Sequence, residues 1–160
     1  MSSMMKQTAL RTLTLGTRAS KSTGTLAATT VDLFLIAGGE VLITSLYGLV
    51  TTSITVANSY YLKATPTTGD AVPLCAATDI GTTDTLAGDV LGFSTPATAG
   101  TTPPKLMSPS GNSSAGWPSS LPATAVTTGK IQSVSAGTDG VITWVVTWVP
   151  LTDGATLTSA

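Results

Sequence analysis

The residue types that do chemistry at neutral pH are sparse in this chain, and their spacing assembles no familiar device. Histidine is absent, which removes the usual general base and with it the Ser-His-Asp and Cys-His arrangements. Cys75 is the single cysteine; alone it cannot close an intrachain disulfide, and without imidazole it cannot build a thiolate zinc site. It reads as a small buried apolar residue rather than a nucleophile. Asp79, Asp84 and Asp89 fall in one loop region of the kind that can hold calcium, but their spacing departs from the EF-hand loop. Solvated loop acids are the plainer expectation. Glu40 with any aspartate would make a glycosidase-type pair, and nothing in the sequence selects one. The run Gly111-Asn112-Ser113-Ser114-Ala115-Gly116 has the glycine spacing of a phosphate loop, yet Trp117 stands where the lysine is required and no helix is expected after it. The expectation is a protein without enzymatic activity, cofactor, metal or small-molecule substrate.

What remains are groups suited to contact with other protein. Residues 1–30 hold Lys6, Arg11, Arg18 and Lys21, four of the seven basic side chains, and no acid precedes Asp32. Such a composition suits either a solvated tail or an extended arm laid across a neighbour, and the arm, with its cations facing acidic groups on that neighbour, is the reading adopted here. Contact with nucleic acid is not expected, since four charges over thirty residues make a thin basic stripe. From Ser94 to Gly129 the chain is rich in Pro, Ser, Thr and Gly; a loop this long usually has a task of its own. Trp117 is its natural anchor on a partner, or else a cover folded back over the sheet. Trp144 and Trp148 could stack sugars, but a core or intersubunit stripe is the commoner use of such a pair.

The elements that must position these groups are strands. In Val31 to Ala64 the apolar residues alternate with a period near two, interrupted by Gly38-Gly39, Gly48 and Asn58. Leu33 and Leu35 oppose Phe34 and Ile36, and Val41, Ile43, Tyr47 and Leu49 oppose Leu42, Leu46 and Val50. Both faces being apolar, these strands are expected to be covered on both sides, by a second sheet or by a neighbouring subunit. A half-exposed strand is expected over 51–57, short strands over 71–76 and 90–93, and a closing hairpin from Ile131 to Val149 turning at Gly137-Thr138-Asp139-Gly140. Ile142, Trp144, Val146 and Trp148 share one face of its second strand. The fold class is therefore all-β: an antiparallel β-sandwich or barrel spanning 31–160, with an extended N-terminal arm over 1–30 and a long Pro/Ser/Thr-rich loop over 94–129.

At 160 residues the chain can bury one modest core. Charged residues make up 9 % and the net charge is -1, so no global field draws nucleic acid or membrane. A surface of hydroxyls and small apolar groups suits burial in an assembly. The first thirty residues contain no continuous apolar segment of the secretory type, and Asp32, Glu40 and the glycine pair interrupt 31–50 as a membrane span, so neither export nor a membrane partner is expected. Strands apolar on both faces in so small a chain point to a homo-oligomer.

The succession Phe34-Leu35-Ile36-Ala37-Gly38-Gly39-Glu40-Val41-Leu42-Ile43-Thr44, then Val50-Thr51-Thr52, Leu62-Lys63-Ala64-Thr65-Pro66-Thr67-Thr68-Gly69 and Leu74-Cys75-Ala76, resembles small structural proteins of tailed bacteriophages, the capsid decoration (cement) and minor capsid proteins. The likeness covers roughly residues 31–93 and the closing strands, is one of texture, and has no catalytic motif behind it. It implies a β-rich module on the outer capsid surface of the virion, bound to the major capsid protein and often a homotrimer. A tail or fibre component is the structural alternative, and a carbohydrate-binding β module using Trp144, Trp148 or Trp117 the alternative of another class.

Overall fold

The computed structural model describes Leu10, Thr12 and residues 14–94, 104–107 and 123–160. Among these residues the protein is an antiparallel β-sandwich with no closed barrel. The strands are β1 (Thr17–Thr25), β2 (Thr30–Ala37), β3 (Val41–Thr52), β4 (Ser59–Pro66), β5 (Val72–Pro73), β6 (Thr78–Asp79), β7 (Val90–Phe93), β8 (Leu106–Met107), β9 (Thr124–Val126), β10 (Gly129–Ser135), β11 (Val141–Pro150) and β12 (Thr156–Ser159). One sheet runs β1-β11-β3-β7-β8, with β9 also on β3; the other runs β12-β2-β10-β4-β5, with β6 also on β4. We call them the β11 sheet and the β10 sheet.

The apolar alternation of β11 is what closes the core. Ile142, Trp144 and Val146 are fully buried and Trp148 nearly so. Tyr60 from the β10 sheet lies parallel to Trp144, ring centroids 6.2 Å apart and planes 5° apart, and Phe93 meets the same indole at 6.4 Å. Trp144 Nε1 donates to the Tyr60 hydroxyl at 2.8 Å, so the polar tips of two large side chains satisfy each other inside an apolar layer. Burial raises the Tyr60 pKa. Cys75 is an inert member of this core: the Leu62 N–H donates to its Sγ at 3.3 Å, and burial pushes the thiol up to about 11.

Local irregularities in β2 and β3 decide how the two-faced apolar pattern of residues 31–50 is placed. In β2, Ile131 faces Phe34 while Gln132 faces Asp32, so Leu33 is an extra residue. That bulge turns both Leu33 and Phe34 inward and leaves Leu35 exposed. In β3, Thr147 faces Ser45 but Trp148 faces Ile43, making Thr44 a bulge, and Thr51 is a second one. Each of the two hydroxyls donates to the opposing carbonyl of β11, Thr44 to Thr147 at 3.1 Å and Thr51 to Val141 at 3.3 Å. The first bulge reverses the phase of the strand, so that Leu46, Gly48 and Val50 follow Val41 and Ile43 into the core while Tyr47 and Leu49 turn out. Gly48 pairs with Trp144, and a Cβ there would stand 2.9 Å from Ile142 Cγ2 and 3.2 Å from the indole.

The expected closing hairpin is absent. Both flanks of β10 are taken, by β2 and β4, so β11 has no free edge there and pairs with β1 and β3 in the other sheet. The connection is an arch between sheets, held by the buried Asn58, whose Oδ1 accepts from the N–H groups of Ala136 (3.0 Å) and Gly137 (2.8 Å) and from the Ser135 hydroxyl. Residues 53–57 likewise form no strand; Ile54 makes an isolated bridge with Thr85.

The arm expected over 1–30 is corrected from Thr17 onward. Residues Thr17–Thr25 form β1, an outer strand of the domain itself, and Leu26 is buried in the core. Before it, helical residues end at Gly16, whose N–H donates to the Thr12 carbonyl. Gly16 has φ +91° and a Cβ there would lie 2.5 Å from the Trp148 carbonyl oxygen, so only glycine turns the chain into β1. The ladder with β11 and the side-chain acceptor that Thr23 Oγ1 offers to the Ile142 N–H at 3.1 Å supply the hydrogen bonds that a neighbour was expected to supply.

Candidate interaction surface

Of the residues expected to bind a partner, Lys6, Arg11 and Trp117 lie outside the described residues. Arg18 and Lys21 are both on β1 but point to opposite faces. Arg18 faces Thr147 on the outer face and is exposed. Lys21 faces Trp144 on the inner side, and its ammonium donates to the backbone oxygen of Ala160 just beyond β12. It thus ties together the edges of the two sheets on this flank. Trp144 and Trp148 are turned into the core, at 0 % and 7 % exposure, where no sugar ring reaches them.

The two outer faces differ in charge. On the β10 sheet, Lys130 pairs with Asp32 at 2.6 Å, Gln132 Nε2 donates to the other Asp32 oxygen at 2.6 Å, and Thr65 donates to Gln132 at 2.7 Å. The Gln132 hydrogen bond, then Lys130, lowers the Asp32 pKa. The outer face of the β11 sheet is built from four cross-strand rows: Arg18-Thr147-Ser45, Ser20-Val145-Tyr47, Ser22-Thr143-Leu49-Val90, and Val149-Leu42-Ala125. These rows carry hydroxyls, aliphatic groups, one tyrosine and a single charge, Arg18; Val145 among them is buried, and Leu42, Tyr47 and Val149 are half-buried. Leu49 and Val90 are 38 % and 40 % exposed. From strand spacing and rise the rows cover on the order of 500 Å², against about 800 Å² per partner in a standard protein interface. This surface escaped sequence reasoning because the Thr44 bulge decides which residues of β3 face out, and a bulge leaves no mark in the period of the strand.

The loop acids serve the loops. Asp79 accepts from the N–H groups of Asn58 (3.0 Å), Gly81 (2.9 Å) and Thr82 (3.1 Å) and from the Thr82 hydroxyl. Those bonds, the Thr82 hydroxyl first, hold its carboxyl well below the usual carboxylate range. Asp89 accepts from the Leu86 N–H at 2.9 Å, and Asp139 from the N–H and hydroxyl of Thr55 at 2.7 and 2.9 Å. Among the described residues no three of the His, Cys, Asp and Glu side chains group closely enough to hold a metal ion, and no helix is long and apolar enough to cross a membrane.

Two shallow depressions lie among the described residues. One of about 320 Å³ is lined by Gly39, Glu40 and the threonines 67, 68, 127 and 128. The other, about 190 Å³, is an apolar cleft between β9 and the β4-β5 edge, with Ala64, Leu74 and Val126 at its floor. Neither converges charged groups on one point. Comparison with known proteins finds no matching family model, no matching curated protein and no matching solved structure.

Proposed function

We propose that this protein is a structural component of a bacteriophage particle, a capsid decoration or cement protein that binds the major capsid protein on the outer surface of the head and stabilises the shell. The observation that carries the reading is the outer face of the β11 sheet: broad, composed of hydroxyl and aliphatic groups, with one charge in four rows. A face of this composition has a single charge to desolvate on docking, has hydroxyls that can bond to groups opposite, and gains from buried aliphatic area, which suits permanent burial against a shell. The sequence resemblance supplies the particle, and the face supplies a means of attachment.

The test is location and copy number. Microscopy of purified particles should find the protein in hundreds of copies on the head, and Leu49→Asp, which puts a carboxylate beside Val90 in the most exposed aliphatic row of the face, should abolish binding to heads lacking the protein. Few copies confined to the tail would make it a tail or fibre component. Binding to a glycan array by the isolated protein, unchanged in Leu49→Asp, would favour a carbohydrate-binding module.

A further inference from the structure

Among the described residues β1 leaves one side of its backbone without a strand. It is the outer strand of its sheet, paired among those residues only with β11, and from Thr17 to Ser22 the register runs without bulge or proline. Edges of this length are templates for another chain, and proteins that must stay apart blunt them with bulges, prolines or inward charges. Here the bulge comes only after Ser22. Lys21, the inward charge, has its ammonium drawn onto Ala160, where it seals the gap between the sheets without projecting past the edge.

We infer that β1 pairs antiparallel with β1 of a second copy about a twofold axis at Ser20, joining the two β11 sheets edge to edge. Side-chain alternation restricts the register, because residues directly opposed must lie on the same face. An axis between Ala19 and Ser20 would set outward Arg18 against inward Lys21 and break the continuity of the faces. An axis at Ala19 would place the two Arg18 side chains on a close diagonal, about 7–8 Å apart, with no carboxylate near either. An axis at Ser20 separates the two Arg18 residues by about 13 Å along the strand and sets each opposite Ser22 of the second copy. The close diagonal then falls to the two Lys21 residues, each held by Ala160 of its own chain. Below β1, the neighbouring edge strand β12 is Thr-Leu-Thr-Ser, so no side-chain charge opposes the approach.

The axis stands perpendicular to the sheet, so both outer faces look the same way and the charge-poor surface of one copy continues into the other. This pairing gives a dimer, where the resemblance implies a trimer. It stands on the edge geometry alone, whatever particle the protein belongs to.

The test uses the full chain. Sedimentation should show a dimer. Ser20→Cys should give a disulfide-linked pair on mild oxidation, since directly opposed strand residues lie about 4.5–5.5 Å apart at Cα, within disulfide range. The native thiol of Cys75 is buried and does not compete, and Ser59→Cys, exposed on β4, should give no such pair. Ser22→Glu places carboxylates opposite both Arg18 residues and should tighten the dimer about tenfold, whereas Ser20→Glu sets two carboxylates face to face and should loosen it by a similar factor. Both positions are exposed on the outer face of β1, so opposite responses report the pairing and not the fold. A monomer, a trimer, or a dimer that responds to both glutamates in the same direction would overturn the inference.

Discussion

Trp144 and Trp148 stand four residues apart on one face of β11, yet they should respond in different ways to the same replacement. Trp to Phe removes on the order of 40 Å² of apolar surface, about 1 kcal/mol at either site by area. At Trp144 the change also deletes the donor to the Tyr60 hydroxyl, about 1 kcal/mol more, and thins the stack between Tyr60 and Phe93. Trp144→Phe should therefore cost about 2–3 kcal/mol. Trp148 Nε1 is buried and has no acceptor among the described residues. Replacing that indole removes an unsatisfied donor, which recovers about 1–3 kcal/mol of desolvation and cancels the lost area. Trp148→Phe should be close to neutral. A gap of about 2 kcal/mol corresponds to about 4–8 °C in melting temperature for a chain of this size, which scanning calorimetry resolves. Equal costs, or a larger cost at Trp148, would refute the assignment of the two indole N–H groups and the reasoning built on it.

Gly48→Ala should cost about 1–3 kcal/mol in urea denaturation, because its Cβ must enter the space held by Ile142 and Trp144. Removing residues 1–30 should destabilise the domain, as read by a lower melting temperature, since burial of Leu26 alone is worth about 1.5–3 kcal/mol. The Asp79 carboxyl titrates lower folded than unfolded, so its contribution is intact above the unfolded value of about 3.9 and is lost as the pH falls through the folded value. Acid titrations of unfolding free energy should show a shallower loss below about pH 4 in Asp79→Asn than in wild type.

How much was legible depends on which physical quantity encodes it. The alternation of β11 is long and regular, and it places Ile142, Trp144, Val146 and Trp148 on the buried face from the sequence alone. Cys75 reads correctly because a lone thiol among apolar residues has little else to do. Strand partners were another matter: 131–135 and 141–149 satisfy every local rule for a hairpin, and only the occupation of both β10 edges by β2 and β4 sends β11 to the other sheet. The N-terminal segment misled for a related reason. Thr17–Thr25 has the composition of a solvated tail, and its strand is stabilised by the ladder to β11 and by Thr23, interactions that composition does not report.

The bulges in β3 connect this limit to function. With strict alternation from Val41, Tyr47 and Leu49 would point inward against the indole of Trp144, where two large side chains and a tryptophan would overfill the space. Inserting Thr44 shifts the phase by one residue, so a glycine meets the indole and the two large residues turn to the outside. The packing requirement of the core thus creates the exposed aliphatic groups of the outer face. The threonine hydroxyl makes the bulge locally affordable, since it bonds the carbonyl of Thr147 on the strand opposite. An outer face made in this way is rigid, because Tyr47 and Leu49 cannot turn inward without expelling Leu46 and Gly48 from the core. Rigidity lowers the ordering cost of binding, which is the property a protein needs if hydroxyls and aliphatic groups, and not charge, are to hold it on a shell.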